Sequence, residues 1–168
     1  MTERYLSIPL DLRWSDQDLM GHVNNAKLVT LAEEARIRFQ VHVEGLDAAA
    51  EPEAVGGRVV ARQVIDYHRP ARYGTPLEMR VGVLRVGTSS FTLRHQGVQE
   101  GQPVFTVDAV MVVVSEEGSP RPLTDAERAG LEDWRWPDTE GAEDDRAGGT
   151  GIVTASAASS GASPGAGS

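Results

Sequence analysis

Between residues 58 and 114 the chain carries four strand-length segments in succession, and only one long helical period precedes them. Residues 58–67 are rich in valine and isoleucine. Residues 77–86 set Met79, Val81 and Val83 on one side, with Arg85 continuing the alternation. Residues 90–98 alternate Phe91, Leu93 and His95 with their neighbours. Residues 104–114 are so apolar that the segment is expected to be central or buried on both faces. Gly87-Thr88 and Glu100-Gly101-Gln102 supply compact turns. Upstream, residues 5–13 read as a first strand, because Leu6, Ile8, Leu10 and Leu12 alternate with Ser7, Pro9, Asp11 and Arg13. Pro9 has no N–H to donate, which points to an edge position or a bulge. The expected order is β-α-β-β-β-β-α, an α+β domain with an antiparallel sheet. Periodicity alone does not say how the helix lies on that sheet.

The helix is expected to begin near Asn24, whose side chain can accept from a free N–H of the first turn. Leu28, Leu31, Ala32, Ala35 and Phe39 follow 3-4-3-4 spacing and mark its packed face. Ile37 and Val41 fall off that stripe and suggest a second buried face. The helix ends before Gly45, and residues 47–57 read as a loop. Thr124-Asp-Ala-Glu127 has the form of a capping box opening a short second helix.

The 168 residues suggest one domain, over residues 1–136. Residues 137–168 are first acidic, then mainly Gly, Ala, Ser and Thr. That composition buries too little apolar surface to offset ordering entropy, so a flexible tail without catalytic role is expected. The chain has no cysteine, which excludes a disulfide framework, a thiol nucleophile and Cys-ligated zinc. It has neither a signal-peptide pattern nor a stretch apolar enough to span a bilayer, so a cytoplasmic protein without membrane attachment is expected. A formal charge of −9 argues against a nucleic-acid partner.

The chemistry concentrates in residues 11–36, where a strand ends in a turn carrying Asp16, Asp18, Gly21, His22, Asn24 and Asn25 before the helix starts. Acid/base groups thus sit beside free N–H donors at a helix N-terminus, a pairing that can handle a proton and stabilise an oxyanion. Asp18 reads either as a general base or nucleophile, or as a turn residue satisfying backbone N–H groups. Gly21 permits a backbone conformation closed to other residues, or a close approach of substrate. His22 can hydrogen-bond a carbonyl, position water or shuttle a proton, or simply hold the turn. His42, His68 and His95 show no metal-ligand spacing, and no metal or cofactor is expected.

Asp16-Gln17-Asp18, Gly21-His-Val-Asn-Asn25 and Glu33-Glu-Ala-Arg36 together resemble the 4-hydroxybenzoyl-CoA thioesterase-like branch of the hotdog-fold acyl-CoA thioesterases. A looser likeness continues through Ile65-Asp-Tyr67-His-Arg69-Pro70 and Gly87-Thr88-Ser89-Ser90-Phe91 to about residue 131. The resemblance implies a hotdog fold, an antiparallel sheet curled around a long central helix. It implies homodimers or homotetramers with active sites between subunits. It implies that Asp18 is the catalytic carboxylate, that Asp16 is structural, and that the backbone N–H polarising the thioester carbonyl belongs to Asn25. His22 joins them as a catalytic candidate. Gly21, Asn24, Tyr67, Arg69, Thr88, Ser89 and Ser90 are the expected substrate contacts. Glu33 is expected to pair with Arg36 rather than to react. The chain departs from one branch in which the Thr88–Ser90 turn is strongly basic and grips the CoA phosphates; here the turn is neutral. Arg69, Arg72, Arg85 or Arg94 would then have to supply the cations. The reading is therefore an acyl-CoA thioesterase, with an acyl-carrier-protein thioesterase and a noncatalytic acyl-CoA-binding protein as alternatives.

Overall fold

The computed structural model describes residues 4–45 and 57–137. It contains β1 (Leu6–Leu10), α1 (Asn25–Val43), β2 (Arg58–Tyr67), β3 (Leu77–Val86), β4 (Ser90–Gln99), β5 (Gln102–Val113) and α2 (Asp125–Glu132). The five strands form one antiparallel sheet in the order β1-β3-β4-β5-β2. The sheet curls around α1, so the α+β hotdog architecture expected from the resemblance is the one present. None of the described helices is long and apolar enough to cross a membrane. The tail beyond residue 137 and the loop before Gly57 lie outside the described residues.

The strand periodicity is realised with shifted ends. β1 stops at Leu10 because a single 3-10 turn, Trp14–Asp16, forms next. Asp16 Oδ2 accepts from the Arg13 N–H at 2.7 Å and closes that turn. Pro9 sits opposite Glu78 on an edge strand, a position that tolerates a residue without an N–H. β4, not β5, is the middle strand, but β5 is buried on both faces from Val104 to Ala109 as its composition demands. Where the β4–β5 register shifts after Gly97, with Val104 of β5 as the extra residue, the Phe105 ring occupies the space that any Cβ at position 97 would need.

α1 lays Leu28, Ala32, Ala35 and Phe39 against Met79, Leu93, Phe91 and Phe105. Asn24 caps it, its Oδ1 accepting from the Ala26 N–H at 2.9 Å. Burial of a second apolar face is not what the structure shows. Ile37 is 49% exposed and Val41 only half-buried, while Arg36 and Gln40 are buried instead. At ~100° per residue Ile37 lies about half a turn from Leu28. Gln40 stands where α1 meets α2, which widens the covered arc beyond the apolar stripe. Arg36 keeps its charge paired, donating to Glu33 at 2.8 Å as expected.

α2 carries the complete capping box. Thr124 N donates to Glu127 Oε2 at 2.8 Å, and Glu127 N donates to Thr124 Oγ1 at 3.2 Å. The segment after α2 runs along β3 beyond the end of β1, where Val83 N donates to Trp134 O and Trp136 N donates to Val83 O. It shields an edge that would otherwise expose a row of free N–H and C=O groups. Trp134 also packs edge-on against Phe39, 6.0 Å between ring centroids.

Candidate active site

The turn between β1 and α1 is built from its base upward. Asp16 is buried, and its carbonyl accepts from the Asn24 N–H at 2.8 Å. Gln17 and Val23 form an isolated antiparallel bridge one step further in. Inside that clamp the Asp18 N–H donates to the His22 carbonyl at 2.8 Å, and the Gly21 N–H donates to the Asp18 carbonyl at 3.1 Å. Gly21 has φ +74°, a left-handed conformation, with open space where a Cβ would stand. Its role within the chain is therefore conformational.

This loop aims the Asp18 side chain. Oδ1 accepts from the Met20 N–H at 2.8 Å and from the His22 N–H at 3.2 Å. Oδ2 accepts no hydrogen bond among the described residues, and the carboxylate is exposed to solvent. One oxygen of Asp18 therefore holds the turn, as a plain turn residue would, while the other is left unengaged. Asp16, by contrast, is spent on structure.

Val23 N donates to Ala71 O at 2.8 Å and ties the turn to the exit of β2. The His68 and Arg69 N–H groups both donate to the Val104 carbonyl, at 2.9 and 3.2 Å, and fix that exit against β5. Between the two walls lies a cleft of about 370 Å³ lined by Asp18, His22, Asn25, Leu28, Tyr67 and Arg69, with His68, Pro70 and Ala71 at its side. The Asn25 N–H stands at the first helical position and meets no acceptor among the described residues. The cleft accordingly combines an unengaged carboxylate oxygen, an unengaged helix-terminal donor, an imidazole and a guanidinium.

The sequence candidates divide into three groups. Asp18, His22, Asn25, Tyr67 and Arg69 come together in the cleft. Gly21 and Asn24 shape it from behind, and the Asn24 amide oxygen is occupied by its cap. Thr88, Ser89 and Ser90 lie elsewhere in the chain. Tyr67 pairs with Phe105, and Phe105 with Gly97, whereas Ser90 starts β4 at its other end. That is roughly 23 Å along the strand at about 3.3 Å per residue. The backbone of this turn supports α2: Thr88 O accepts from Leu123 N, and Gly87 O accepts from Arg128 Nη2.

The four candidate arginines are also sorted. Arg94 is held by Asp108 through two bonds of 2.8 Å on the sheet surface. Arg69 lines the cleft and, among the described residues, its side chain makes only a long bond, 3.4 Å, to Gln102 Oε1. Arg72 and Arg85 do not line it. Sequence reasoning considered His68 only as a metal ligand and missed its place beside the cleft, where its Nε2 sits 2.9 Å from Thr106 Oγ1. Among the described residues no group of three or more His, Asp or Glu is placed to hold a metal ion.

A family model described as the thioesterase-like superfamily matches residues 12–139. The uncharacterized protein YsmA of Bacillus subtilis (strain 168) is 36% identical over 124 residues, covering 73% of this chain and 82% of that one. A thioesterase from Thermus thermophilus, solved with coenzyme A and Zn, is 31% identical, with a TM-score of 0.66 over 76% of this chain and 91% of its own. A predicted thioesterase from Bacillus stearothermophilus is 25% identical, with a TM-score of 0.69 over 79% and 97% of the two chains.

Proposed function

The chain belongs to the thioesterase-like superfamily, and from that premise we propose that it hydrolyses an acyl-CoA thioester to the free acid and CoA. The observation that carries this reading is the pairing of the unengaged Asp18 Oδ2 with the unengaged Asn25 N–H on one cleft. In the general-base route Asp18 takes a proton from water as the water oxygen attacks the thioester carbonyl. In the nucleophilic route Asp18 attacks the carbonyl itself, and water then hydrolyses the resulting anhydride. Either way the carbonyl oxygen gains charge, and the Asn25 N–H with the positive end of α1 stabilises it. Collapse breaks the C–S bond and releases CoA as its thiolate, a leaving group that needs little acid assistance. His22 orients the attacking water or the carbonyl from the same wall.

Arg69 is the cation best placed for a CoA phosphate, and Tyr67 walls the path of the pantetheine arm. The reading includes a second subunit that carries its Thr88–Ser90 turn toward this cleft. Leu19 is fully exposed and Met20 is 76% exposed, both on the Asp18 turn itself. Large apolar side chains in such a position favour contact with another chain. The coenzyme A complex of the Thermus thermophilus relative supports CoA as the carrier.

One observation favours a second reading, hydrolysis of acyl groups on a carrier protein. The Thr88–Ser90 turn is neutral and, among the described residues, a single arginine lines the cleft, which leaves little to grip a nucleotide. Initial rates with one acyl group presented on CoA and on a carrier protein separate the two. Faster release from CoA supports the first reading; release only from the carrier protein replaces it with the second; no release from either removes both.

A further inference from the structure

A second cavity lies where the C-terminal part of α1 meets α2. It encloses about 450 Å³ and is walled by Phe39, Val43, Phe91 and Leu131. Its polar wall is Gln40 on α1, roughly 22 Å along the helix from Asn25 at about 1.5 Å per residue, with Glu44 at the end of that helix, Arg58 at the start of β2 and Glu127 on α2. Gln40 is 8% exposed, and its Nε2 meets no acceptor among the described residues. The Arg58 side chain is 9% exposed; its Nη2 meets Glu44 and, at 3.6 Å, Glu127, while Nη1 meets no acceptor among the described residues. Glu127 is also clasped by Arg121 through bonds of 2.9 and 2.8 Å. Two arginines face two glutamates, so the charges of the cluster cancel. What remains unmet is two buried N–H donors beside aromatic and aliphatic walls, and native interiors rarely leave such donors unpaired.

The chemistry of the cavity selects its acceptor. A carboxylate would bring uncompensated negative charge to a cluster that is already neutral and partly desolvated. Burial pushes the Glu44 carboxyl above its ordinary range even with Arg58 beside it, so the surroundings already disfavour the anion present. A neutral carbonyl oxygen satisfies both donors and adds no charge. An apolar body then fills the remainder, the usual division of labour in a small-molecule site.

We propose that this cavity is a second binding site, separate from the Asp18 cleft, for a small, neutral, largely apolar molecule whose amide, ester or lactone carbonyl accepts from Gln40 and Arg58. Titration of octanamide and octanoate into the full-length protein, followed by NMR at the Gln40 side-chain amide and the Arg58 guanidinium, tests it. Octanamide should shift both signals saturably and bind at least about tenfold tighter than octanoate. Gln40→Leu should weaken octanamide by at least about tenfold through loss of one donor. Ala126→Trp, from an exposed position at the lip of the cavity, should abolish binding. Asp18→Asn should leave it unchanged, which keeps this site distinguishable from the proposed thioester chemistry. No saturable shift, a shift confined to the Asp18 cleft, or tighter binding of octanoate would overturn the proposal.

Discussion

Asp18 and His22 hold each other across the turn: the Asp18 N–H donates to the His22 carbonyl at 2.8 Å, and the His22 N–H donates to Asp18 Oδ1 at 3.2 Å. With the Met20 N–H on the same oxygen, the side chain is both a turn staple and a presented carboxylate. An asparagine can keep the staple, because its amide oxygen accepts the same two N–H groups. An alanine cannot. Asp18→Ala is expected to lower stability by about 1 kcal/mol, the net worth of such bonds, and Asp18→Asn by clearly less. Urea denaturation of the two variants beside wild type checks this; equal losses would mean that Oδ1 does not hold the turn.

Gly21 is required for its backbone rather than for space. At φ +74° an added Cβ meets no neighbour but does meet its own carbonyl. Gly21→Ala should cost about 1–2 kcal/mol, and Gly21→Asn less, since asparagine tolerates the left-handed region. Thermal unfolding of the pair gives the order directly. Indistinguishable midpoints for wild type and Gly21→Ala would contradict it.

Arg69 should act on substrate binding and not on the bond-breaking step. Arg69→Ala is expected to raise KM for an acyl-CoA by about tenfold and leave kcat nearly unchanged, the pattern of a lost contact made equally in ground and transition states. Arg94→Gln should leave KM alone, because Arg94 is committed to Asp108. Steady-state kinetics of both variants test the sorting of these cations, and the reverse pattern would refute it.

His95 is expected to make the fold sensitive to acid. Burial holds its imidazole down at about 4 against an ordinary 6.5, and the positive charge of Arg36 adds to that effect. Its Nδ1 lies 3.1 Å from the Val107 carbonyl, while Nε2 meets no partner among the described residues. The unfolded chain takes up a proton near pH 6.5 that the native state refuses until about pH 4. This contribution to stability is complete above pH 6.5 and is lost as the pH falls toward 4. The loss should be on the order of 3 kcal/mol. His95→Gln retains a donor for Val107 without titrating, so its stability should fall less over that window. Parallel pH profiles for wild type and variant would show that His95 is not responsible.

What could be read from the sequence was local. The Asn24 cap and the Thr124–Glu127 box each bond backbone groups within three residues, so their geometry is implicit in spacing. Strand alternation likewise names the inward residues of β1, β3 and β4. The cleft needed more. Its second wall exists because β2 pairs with β5 in a register that sets Tyr67 opposite Phe105, and because Val23 reaches the Ala71 carbonyl. Neither contact leaves a trace in the residues around Asp18. The Thr88–Ser90 turn resembled a substrate contact by motif, yet strand direction carries it to the opposite end of β4. Arg36 and Gln40 look like surface residues of an amphipathic helix, yet both are buried, and Gln40 lies where α1 meets α2, a helix far away in sequence.

Thiol release from a panel of short, long and aromatic acyl-CoAs, with Asp18→Asn measured alongside, tests the central claim most directly. Wild type should release CoA from at least one member, and the variant should stay folded and turn over at least about 100-fold more slowly, the scale expected for a lost general base or nucleophile. Turnover by Asp18→Asn at the wild-type rate would contradict the role of Asp18, and no release by wild type from any member would contradict acyl-CoA hydrolysis itself.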